Sequence, residues 1–297
     1  MRILLLGANG QVGHELRRSL GRLGEIVPTT RSGVLEGEGC EVADFDAPDS
    51  LGALVERVAP DLVVNAAAYT AVDRAESEPD AAFRANTEAP RQLARACALR
   101  GIGLVHYSTD YVFDGTGRRP YRETDPTAPL GVYGASKLAG EEAIAGTGAR
   151  HLIFRTAWVY GNHGHNFMRT MLRLAQERSE LRVVADQVGT PTPAALIADV
   201  TARALEAGLD RSGLWHLTAT GETNWCAFAS EILAQAAARG RLDRLPDMVP
   251  ITTAEYPTPA TRPGYSCMDT SQLRRDFGVE LPDWRQALGA VLDSTPA

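Results

Sequence analysis

The amino terminus carries a short apolar run that stops at a glycine-rich turn and is followed at once by a helical pattern. Arg2–Leu6 has the composition of a buried strand, and Leu16 and Leu20 recur at helical spacing. Between them lies Gly7-Ala8-Asn9-Gly10-Gln11-Val12-Gly13, with glycines spaced G-x-x-G-x-x-G rather than in the commoner G-x-G-x-x-G pattern.

In such a strand–turn–helix unit, glycines permit a tight turn, a close approach of backbone to a pyrophosphate, and close packing of helix on strand. The helix amino terminus adds N–H donors for phosphate oxygens. A ligand-free glycine turn is the alternative, but the strand before it and the helix after it favour dinucleotide binding. The predicted cofactor contacts here are Gly7, Asn9, Gly10, Gln11, Val12 and Gly13.

Apolar runs and helical patterns alternate through the first half of the chain. Strands are predicted at Glu25–Thr30, 61–65 and 102–107, and helices at 48–58 and 79–100, the latter with Phe83, Leu93, Ala96 and Leu99 facing inward. This alternation predicts an α/β fold with a Rossmann-type doubly wound parallel sheet. It loosens after Gly161, so we expect a dinucleotide-binding domain over 1–160. A smaller C-terminal substrate lobe is expected over 161–297, with segments threading back to the first sheet.

Several residues at predicted strand ends suit a nucleotide. Arg31 stands where an NAD-binding protein usually carries an acidic residue, which favours the 2′-phosphate of NADPH, with NADH as the alternative cofactor; a solvated loop cation is the other interpretation. Asp44 suits either the adenine amino group or the cap of the following helix. Asn86 suits either a place near the cofactor or a buried structural role. Small residues leave room for the nucleotide at Ala66, Ala67 and Ala68.

A tyrosine and a lysine four residues apart, Tyr133 and Lys137, project from one face of a predicted helix. A nearby ammonium stabilises a phenolate, so we expect Lys137 to lower the pKa of Tyr133 and make it an effective proton donor. The preceding strand delivers Thr109 to the same sheet edge, and the loop 116–130 is expected to cover the mouth. An ordinary exposed helix face is the alternative, but the ordering along the chain favours catalysis.

Composition excludes several other classes of protein. A net charge of −7 and a pI near 5.5, without a basic cluster, argue against a nucleic-acid partner. No run has the length of a membrane span or the form of a signal peptide, so a cytoplasmic protein is expected. The four cysteines are scattered, as in a reduced compartment. His163 and His165 lack further grouped ligands, and no metal site is predicted.

Eight stretches carry a resemblance that covers nearly the whole chain. The sequence resembles the extended short-chain dehydrogenase/reductase family, and within it the branch that reduces nucleotide-linked 4-keto sugars, at 7–13, 64–73, 108–115, 133–138, 155–161, 166–168, 186–192 and 262–266. The resemblance implies reduction of the C4 carbonyl of dTDP-4-dehydro-β-L-rhamnose to dTDP-β-L-rhamnose. Tyr133 would protonate the alkoxide, Lys137 would hold the nicotinamide ribose, and Thr109 would bind the carbonyl oxygen.

The resemblance also implies that Asp110 and Trp158 line the sugar pocket, although a core aromatic beside Tyr160 is nearly as good an interpretation of Trp158. Charge and position make Arg262 a candidate for the substrate diphosphate. Thr70 and Val72 complete the predicted substrate contacts, and Tyr107 the predicted cofactor contacts.

Two other functions remain open at this point. A non-catalytic, NADP-binding regulatory subunit resembles the same branch, but it would not need Thr109, Tyr133 and Lys137 together. A nucleotide-sugar epimerase would hold its NAD tightly through turnover. Some members of the branch are magnesium-bridged dimers; Glu15 is present here, but Ala194-Ala195 occupies the stretch where a second carboxylate would be sought. The sequence therefore leaves homodimerisation and magnesium dependence open, and no residue is assigned as a metal ligand.

Overall fold

A computed structural model describes residues 1–208 and 211–294 of the chain. Most strands in this part are short and parallel to their neighbours. In chain order they are β1 (Arg2–Leu6), β2 (Glu25–Thr30), β3 (Val34–Leu35), β4 (Glu38–Gly39), β5 (Glu41–Val42), β6 (Leu62–Asn65), β7 (Gly103–Thr109), β8 (Arg150–Thr156), β9 (Val159–Tyr160), β10 (Glu180–Val184), β11 (Val188–Gly189), β12 (Thr192–Pro193), β13 (Gly213–His216), β14 (Thr223–Asn224) and β15 (Asp247–Ile251).

Helices connect most of these strands. In chain order they are α1 (Gln11–Leu20), α2 (Ser50–Val58), α3 (Val72–Ala75), α4 (Pro79–Phe83), α5 (Ala89–Arg100), α6 (Val132–Ala145), α7 (Phe167–Glu177), α8 (Ala194–Glu206), α9 (Trp225–Ala238), α10 (Ser271–Phe277) and α11 (Trp284–Ser294). A π-helical turn, Arg84–Glu88, joins α4 to α5. Short 3-10 turns lie at Asp110–Val112 and Thr253–Glu255. None of the described helices combines the length and apolarity needed to cross a membrane.

Within the described residues, seven parallel strands form the central sheet in the order β13-β8-β7-β6-β1-β2-β5. Successive side chains of a strand point to opposite faces, so Ile3 and Leu5 enter the core under α1 and α8, and Leu4 and Leu6 enter the core under α2, α5 and α6. Both faces of the sheet are therefore covered, as parallel sheets require. This confirms the predicted Rossmann-type doubly wound fold.

The strand order reverses beside β1. The chain first builds outward through β2 and β5, then returns to the other side of β1 and builds through β6, β7 and β8. In such sheets the loops leaving adjacent strands on opposite sides of the reversal part, and a crevice opens at the carboxyl ends of the strands. The fold thus places a ligand crevice between the loops that follow β1 and β6.

The second half of the chain builds a further core and also returns to the first. Trp284, Tyr160 and Phe228 are among the residues buried where α7, α9 and α11 meet. In contrast, β13 extends the central sheet beside β8, and α8 packs against α1. The predicted division at residue 160 stays a prediction, and 295–297, at the end of the predicted lobe, lie outside the described residues.

The helix predicted over 79–100 is interrupted, and two of its predicted inward positions are wrong. Phe83 is 38% exposed and Leu99 is 89% exposed, whereas Leu93 is buried. The π turn breaks the regular period, and the buried stripe of α5 recurs every four residues through Ala89, Leu93 and Cys97. Leu99 lies two positions beyond Cys97 and therefore on the opposite side of the helix.

A buried ion pair joins α6 to β8. Arg155 donates through Nε and Nη2 to the two carboxylate oxygens of Glu141, at 2.9 and 2.7 Å, and both side chains are about 5% exposed. The guanidinium also lies 5.1 Å from the centre of the Phe113 ring. This bidentate pair anchors the helix of Tyr133 and Lys137 to the sheet.

We expect Glu141→Gln to lower the free energy of unfolding by about 3–5 kcal/mol, because it leaves the buried Arg155 charge uncompensated. Urea denaturation followed by circular dichroism measures the loss. The matched control is Glu177→Gln, which breaks an exposed pair with Arg173 at 2.9 Å and should change stability by no more than about 0.5 kcal/mol. Equal effects of the two substitutions would contradict a structural role for the buried pair.

Candidate active site

The crevice at the reversal point is a cleft of about 550 Å³. Its walls come from the loops at the carboxyl ends of β1, β2, β6 and β7, from α6, and from a short segment of the second half of the chain. The lining includes Gly7, Asn9, Gly10, Gln11, Val12, Thr30, Arg31, Phe45, Asp46, Ala66, Ala67, Ala68, Thr70, Tyr107, Tyr133, Lys137, Gly164 and His165. Most of the predicted cofactor contacts are therefore brought together.

The glycines of the turn have different roles in the structure. Gly7 has φ of +75°, and a Cβ there would lie 2.8 Å from the Ala67 nitrogen, so this position needs glycine for the turn and for backbone contact. A Cβ on Gly13 would lie 2.0 Å from the Gly7 carbonyl oxygen. Gly13 lies outside the cleft lining; it brings α1 close to β1 and so acts on the cofactor site through packing.

At the far end of the cleft, Arg31 forms an ion pair with Asp46 and is largely exposed. Asp44 accepts from the Asp46 backbone N–H at 3.0 Å, and α2 begins later, with Asp49 at its N-cap. The suggestion that Asp44 caps this helix is therefore wrong. Asp44 is also absent from the cleft lining, whereas Phe45 and Asp46, which the sequence analysis did not select, are part of it.

Tyr133 and Lys137 both face the cleft from the first half of α6. Burial raises the pKa of Tyr133 to about 12, although a hydrogen bond with Thr109 acts in the opposite direction. Burial lowers the pKa of Lys137 to about 8, opposed by the Glu141 carboxylate. The expectation that Lys137 lowers the pKa of Tyr133 is wrong in this structure, because the amine is directed at the Tyr107 carbonyl oxygen, 2.6 Å away.

Tyr107 thus contributes its backbone as well as its ring to this region. Its hydroxyl points away from Lys137 and forms a hydrogen bond with Thr201 of α8 at 2.9 Å. Thr109, two residues further along β7, donates to Asp110 at 3.1 Å. Asp110 is buried, and burial raises the pKa of its carboxyl group to about 6.

Asn86 is fully buried in the π-helical turn, outside the cleft lining. Its side chain accepts from the Tyr69 backbone N–H at 2.9 Å and donates to the Ser136 hydroxyl at 3.0 Å. These bonds tie the loop after β6 to α6, between Tyr133 and Lys137. The interpretation of Asn86 as a structural amide is confirmed.

On the substrate side, Trp158 adopts a left-handed backbone with φ of +48°, an uncommon conformation for a bulky residue. Its indole stacks on Trp225 with ring centres 3.6 Å apart, and Trp225 donates to Gln187 at 3.2 Å. A Cβ on Gly189 would lie 2.5 Å from Trp158. The surroundings therefore hold Trp158 in a strained orientation, and its partly exposed ring is half of an aromatic pair that the sequence did not reveal.

Arg262, the predicted diphosphate contact, already has an anionic partner. It donates from both terminal nitrogens to the two carboxylate oxygens of Asp73, each at 2.8 Å. Thr70 lines the cleft, but Val72 begins α3 and is outside the lining. The roles of Arg262, Thr70 and Val72 in substrate binding stay predictions.

Of the two histidines near the cleft, His163 has packing partners and His165 is exposed. The ring of His163 stacks on that of His14 with centres 4.2 Å apart, and its Nε2 is 3.0 Å from the Asn9 carbonyl oxygen. His165 lines the cleft. Across residues 1–208 and 211–294, no three His, Cys, Asp or Glu side chains are grouped as metal ligands would be.

A doubly wound parallel sheet, a glycine turn at its reversal point, and Tyr133 and Lys137 in the same cleft define a dinucleotide-binding oxidoreductase of the short-chain dehydrogenase/reductase type. The sequence model of one family, described as the RmlD substrate binding domain, matches residues 1–296. The chain belongs to this family.

Curated relatives and solved structures agree with this assignment. The chain is 52% identical to a dTDP-4-dehydrorhamnose reductase of Burkholderia thailandensis, covering 97% of each chain. It is 46% identical to the enzyme of the same name from Salmonella typhimurium, over 98% of this chain and 97% of the relative. The structure of the Bacillus anthracis dTDP-4-dehydrorhamnose reductase in complex with NADP superimposes with a TM-score of 0.90, at 34% identity and 99% coverage of both chains.

The close packing at Gly13 leads to a stability prediction. Gly13→Ala should cost several kcal/mol, because its methyl group would overlap the Gly7 carbonyl and something must shift. Gly52→Ala, in α2, meets nothing within 4 Å and should stabilise the protein by about 0.4–1 kcal/mol. Thermal unfolding of both variants measures the difference. A Gly13→Ala protein as stable as the wild type would show that α1 does not need this close approach.

Proposed function

We propose that this protein reduces the C4 carbonyl of dTDP-4-dehydro-β-L-rhamnose to dTDP-β-L-rhamnose, using NADPH, with NADH as a second cofactor. The observation that carries the proposal is the presence of Tyr133 and Lys137 in one cleft with a glycine turn suited to a dinucleotide, while Thr109 forms a hydrogen bond with Tyr133. Relatives that match nearly the whole chain carry the name of this activity.

Several residues of the cleft are suited to binding the cofactor. Gly7 brings the backbone of its turn close to Ala67, and α1 begins at Gln11, with unpaired amide donors at its first turn. Arg31 offers a guanidinium at the end of the cleft where the adenosine ribose would lie. Bound NADPH would supply the hydride.

The protein supplies the proton and the electrostatics. Since burial keeps the Tyr133 phenol protonated well above neutral pH, it is in the form that a proton donor needs. As hydride reaches C4, the Tyr133 proton passes to the developing alkoxide and leaves a phenolate. The Thr109 hydroxyl, which forms a hydrogen bond with Tyr133, stabilises that phenolate, and Lys137 would hold the nicotinamide ribose.

The substrate side would use residues whose roles rest on position. We propose that Asp110 and the Trp158–Trp225 pair contact the sugar. The diphosphate would contact Arg262, which must then share its guanidinium between Asp73 and the phosphates. We also infer a cytoplasmic location, because all four cysteines are free thiols. A homodimer is a further expectation, which sedimentation analysis tests.

The deciding assay combines purified protein, NADPH and enzymatically prepared dTDP-4-dehydro-β-L-rhamnose, with the product sugar identified by NMR. We expect stoichiometric oxidation of NADPH and formation of dTDP-L-rhamnose. Cofactor binding without oxidation on this or related 4-keto sugars would favour a regulatory subunit. Tightly bound NAD that is regenerated at each turnover would favour an epimerase, and a 6-deoxy-L-talose product would reverse the assigned hydride face.

Tyr133→Phe removes the proposed proton donor and should lower turnover by at least about a hundredfold, the usual scale for loss of a general acid. NADPH affinity, measured by fluorescence titration, should be retained. Tyr160→Phe is the control, since Tyr160 is a buried tyrosine outside the cleft lining whose hydroxyl makes no hydrogen bond in the described part of the chain. Near-normal turnover of Tyr133→Phe would refute the assignment.

Arg31→Ala should weaken NADPH binding and leave NADH binding nearly unchanged, because a guanidinium pairs with a 2′-phosphate in a fork geometry. The dissociation constants of both cofactors give the comparison. Arg57→Ala is the control, since Arg57 pairs with Glu41 outside the cleft lining. If Arg31→Ala weakens both cofactors equally, Arg31 does not read the phosphate.

A further inference from the structure

Lys137 is the only lysine in the 297 residues of the chain. The other residues in its total of 30 Lys and Arg are all arginine. Arginine stays protonated in proteins, whereas a buried lysine can lose its proton. Among the Lys and Arg residues, the one side chain able to do so is thus placed in the cleft.

Two buried side chains lie behind Lys137 and connect it to the sheet. Its Nζ is 3.3 Å from Nε2 of His106, on β7. The other ring nitrogen of His106, Nδ1, is 3.1 Å from Nδ2 of Asn65, at the end of β6. Asn65, His106 and Lys137 are each no more than 2% exposed.

The donors and acceptors in the hydrogen-bonded series Asn65–His106–Lys137 can be assigned. The Asn65 carbonyl oxygen, Oδ1, accepts from the Ala67 backbone N–H at 3.1 Å. Turning the amide over would set its NH₂ group against that N–H, donor against donor. Asn65 therefore presents Nδ2–H to His106, whose Nδ1 must accept. A neutral imidazole with an unprotonated Nδ1 carries its proton on Nε2, and that proton points at Lys137.

The Lys137 amine can accept the hydrogen bond from His106 Nε2–H only when it is neutral and offers a lone pair. A neutral Lys137 accepts from Nε2–H and donates to the Tyr107 carbonyl oxygen, 2.6 Å away, so every group is satisfied. An ammonium in the same place would face the Nε2–H with a hydrogen of its own. We propose that Asn65 and His106 are positioning residues, which fix the Nε2–H tautomer and thereby make the Lys137 ammonium an acid that releases its proton readily.

The other ionisable groups around Lys137 do not supply this effect. Glu141, one turn further along α6, favours the charged amine, and it is itself paired with Arg155 of β8. Tyr133 and Tyr107 are uncharged at neutral pH because burial raises the pKa of each phenol. His106 is uncharged as well, since burial and the Lys137 charge hold its pKa well below the usual range.

The consequence of this arrangement for catalysis rests on the proposed reductase function. After Tyr133 gives its proton to the sugar alkoxide, the phenolate must regain one. The Lys137 ammonium supplies it, directly or through an intervening hydroxyl or water, and becomes the neutral amine that His106 stabilises. Solvent then returns a proton to Lys137. Without the directed Nε2–H, the ammonium would hold its proton more tightly and the phenolate would be restored more slowly.

The single lysine makes a direct test possible. Protein labelled with ¹³Cε-lysine gives one lysine signal, whose shift against pH yields the titration of Lys137. Protein labelled with ¹⁵N-histidine reports the tautomer of His106, assigned by loss of its signals in His106→Phe. We expect the Nε2–H tautomer, and a Lys137 midpoint at least tenfold more acidic than that of free lysine. An Nδ1–H tautomer, or an ordinary lysine midpoint, would overturn the proposal without reference to activity.

The substitution Asn65→Asp should reverse the direction of hydrogen-bond donation in the series Asn65–His106–Lys137, with little change in side-chain shape. A carboxylate accepts from both the Ala67 N–H and the His106 ring, so the proton should move to Nδ1 and leave Nε2 to accept from the ammonium. We expect the Lys137 midpoint to rise by one pH unit or more, and the pH profile of kcat in active enzyme to move with it. A reversed tautomer with an unchanged lysine midpoint would refute the role of His106.

Asn86→Asp is the control for added charge, because Asn86 bonds to Ser136, next to Lys137, and not to His106. It should leave the His106 tautomer unchanged and raise the midpoint less than Asn65→Asp does; an equal rise would assign the effect to charge alone. If Asn65→Asp does not fold, the tautomer and titration of the wild-type protein still decide.

Discussion

The site depends on one backbone contact, between the turn after β1 and the loop after β6. These two strands lie side by side where the sheet reverses its order, and their loops would be forced apart by any side chain at Gly7. Because Gly7 lacks a Cβ and adopts positive φ, the turn stays against Ala67 and directs the start of α1 at the cleft. Gly13 then holds α1 against the same turn. Cofactor binding, in the proposed function, follows from this contact.

A second requirement is that the polar groups beneath the cleft be satisfied. Unpaired polar atoms in a protein interior cost free energy, so the atoms of a buried network are stabilised by the hydrogen bonds that they form. Asn86 ties the loop after β6 to α6, Glu141 ties α6 to Arg155 of β8, and the Asn65–His106 pair lies behind Lys137. The helix that carries Tyr133 and Lys137 is thereby fixed by directional bonds as well as by packing. These hydrogen bonds hold the side chains of Tyr133 and Lys137 in position, although the residues that form them need not contact the ligand.

The sequence predicted the sheet and most of the cleft because these depend on local patterns. Strands β1 and β2 have the predicted bounds, and the glycine turn, Ala66 to Ala68, Tyr133 and Lys137 meet as expected. What could not be predicted depends on contacts between distant residues. The partner of Arg262 is Asp73, 189 positions away, and the stacking of Trp158 on Trp225 joins elements with no shared pattern. Phe83 of α4 and Leu99 of α5 were wrongly predicted to face inward, because the π turn between these helices has no clear sequence signature.

The pKa of Tyr133 shows how such contacts alter a chemical expectation. Spacing on a helix places Lys137 near the phenol, and from spacing alone the ammonium should lower its pKa. The fold directs the amine elsewhere, to the Tyr107 carbonyl and His106, and burial then dominates both groups: it raises the pKa of the phenol and lowers that of the amine. The two pKa values therefore move apart, with the phenol above the amine. A proton moves downhill from the group of lower pKa to the conjugate base of the group of higher pKa, so the burial that makes Tyr133 a poorer acid also makes Lys137 a better source of its next proton.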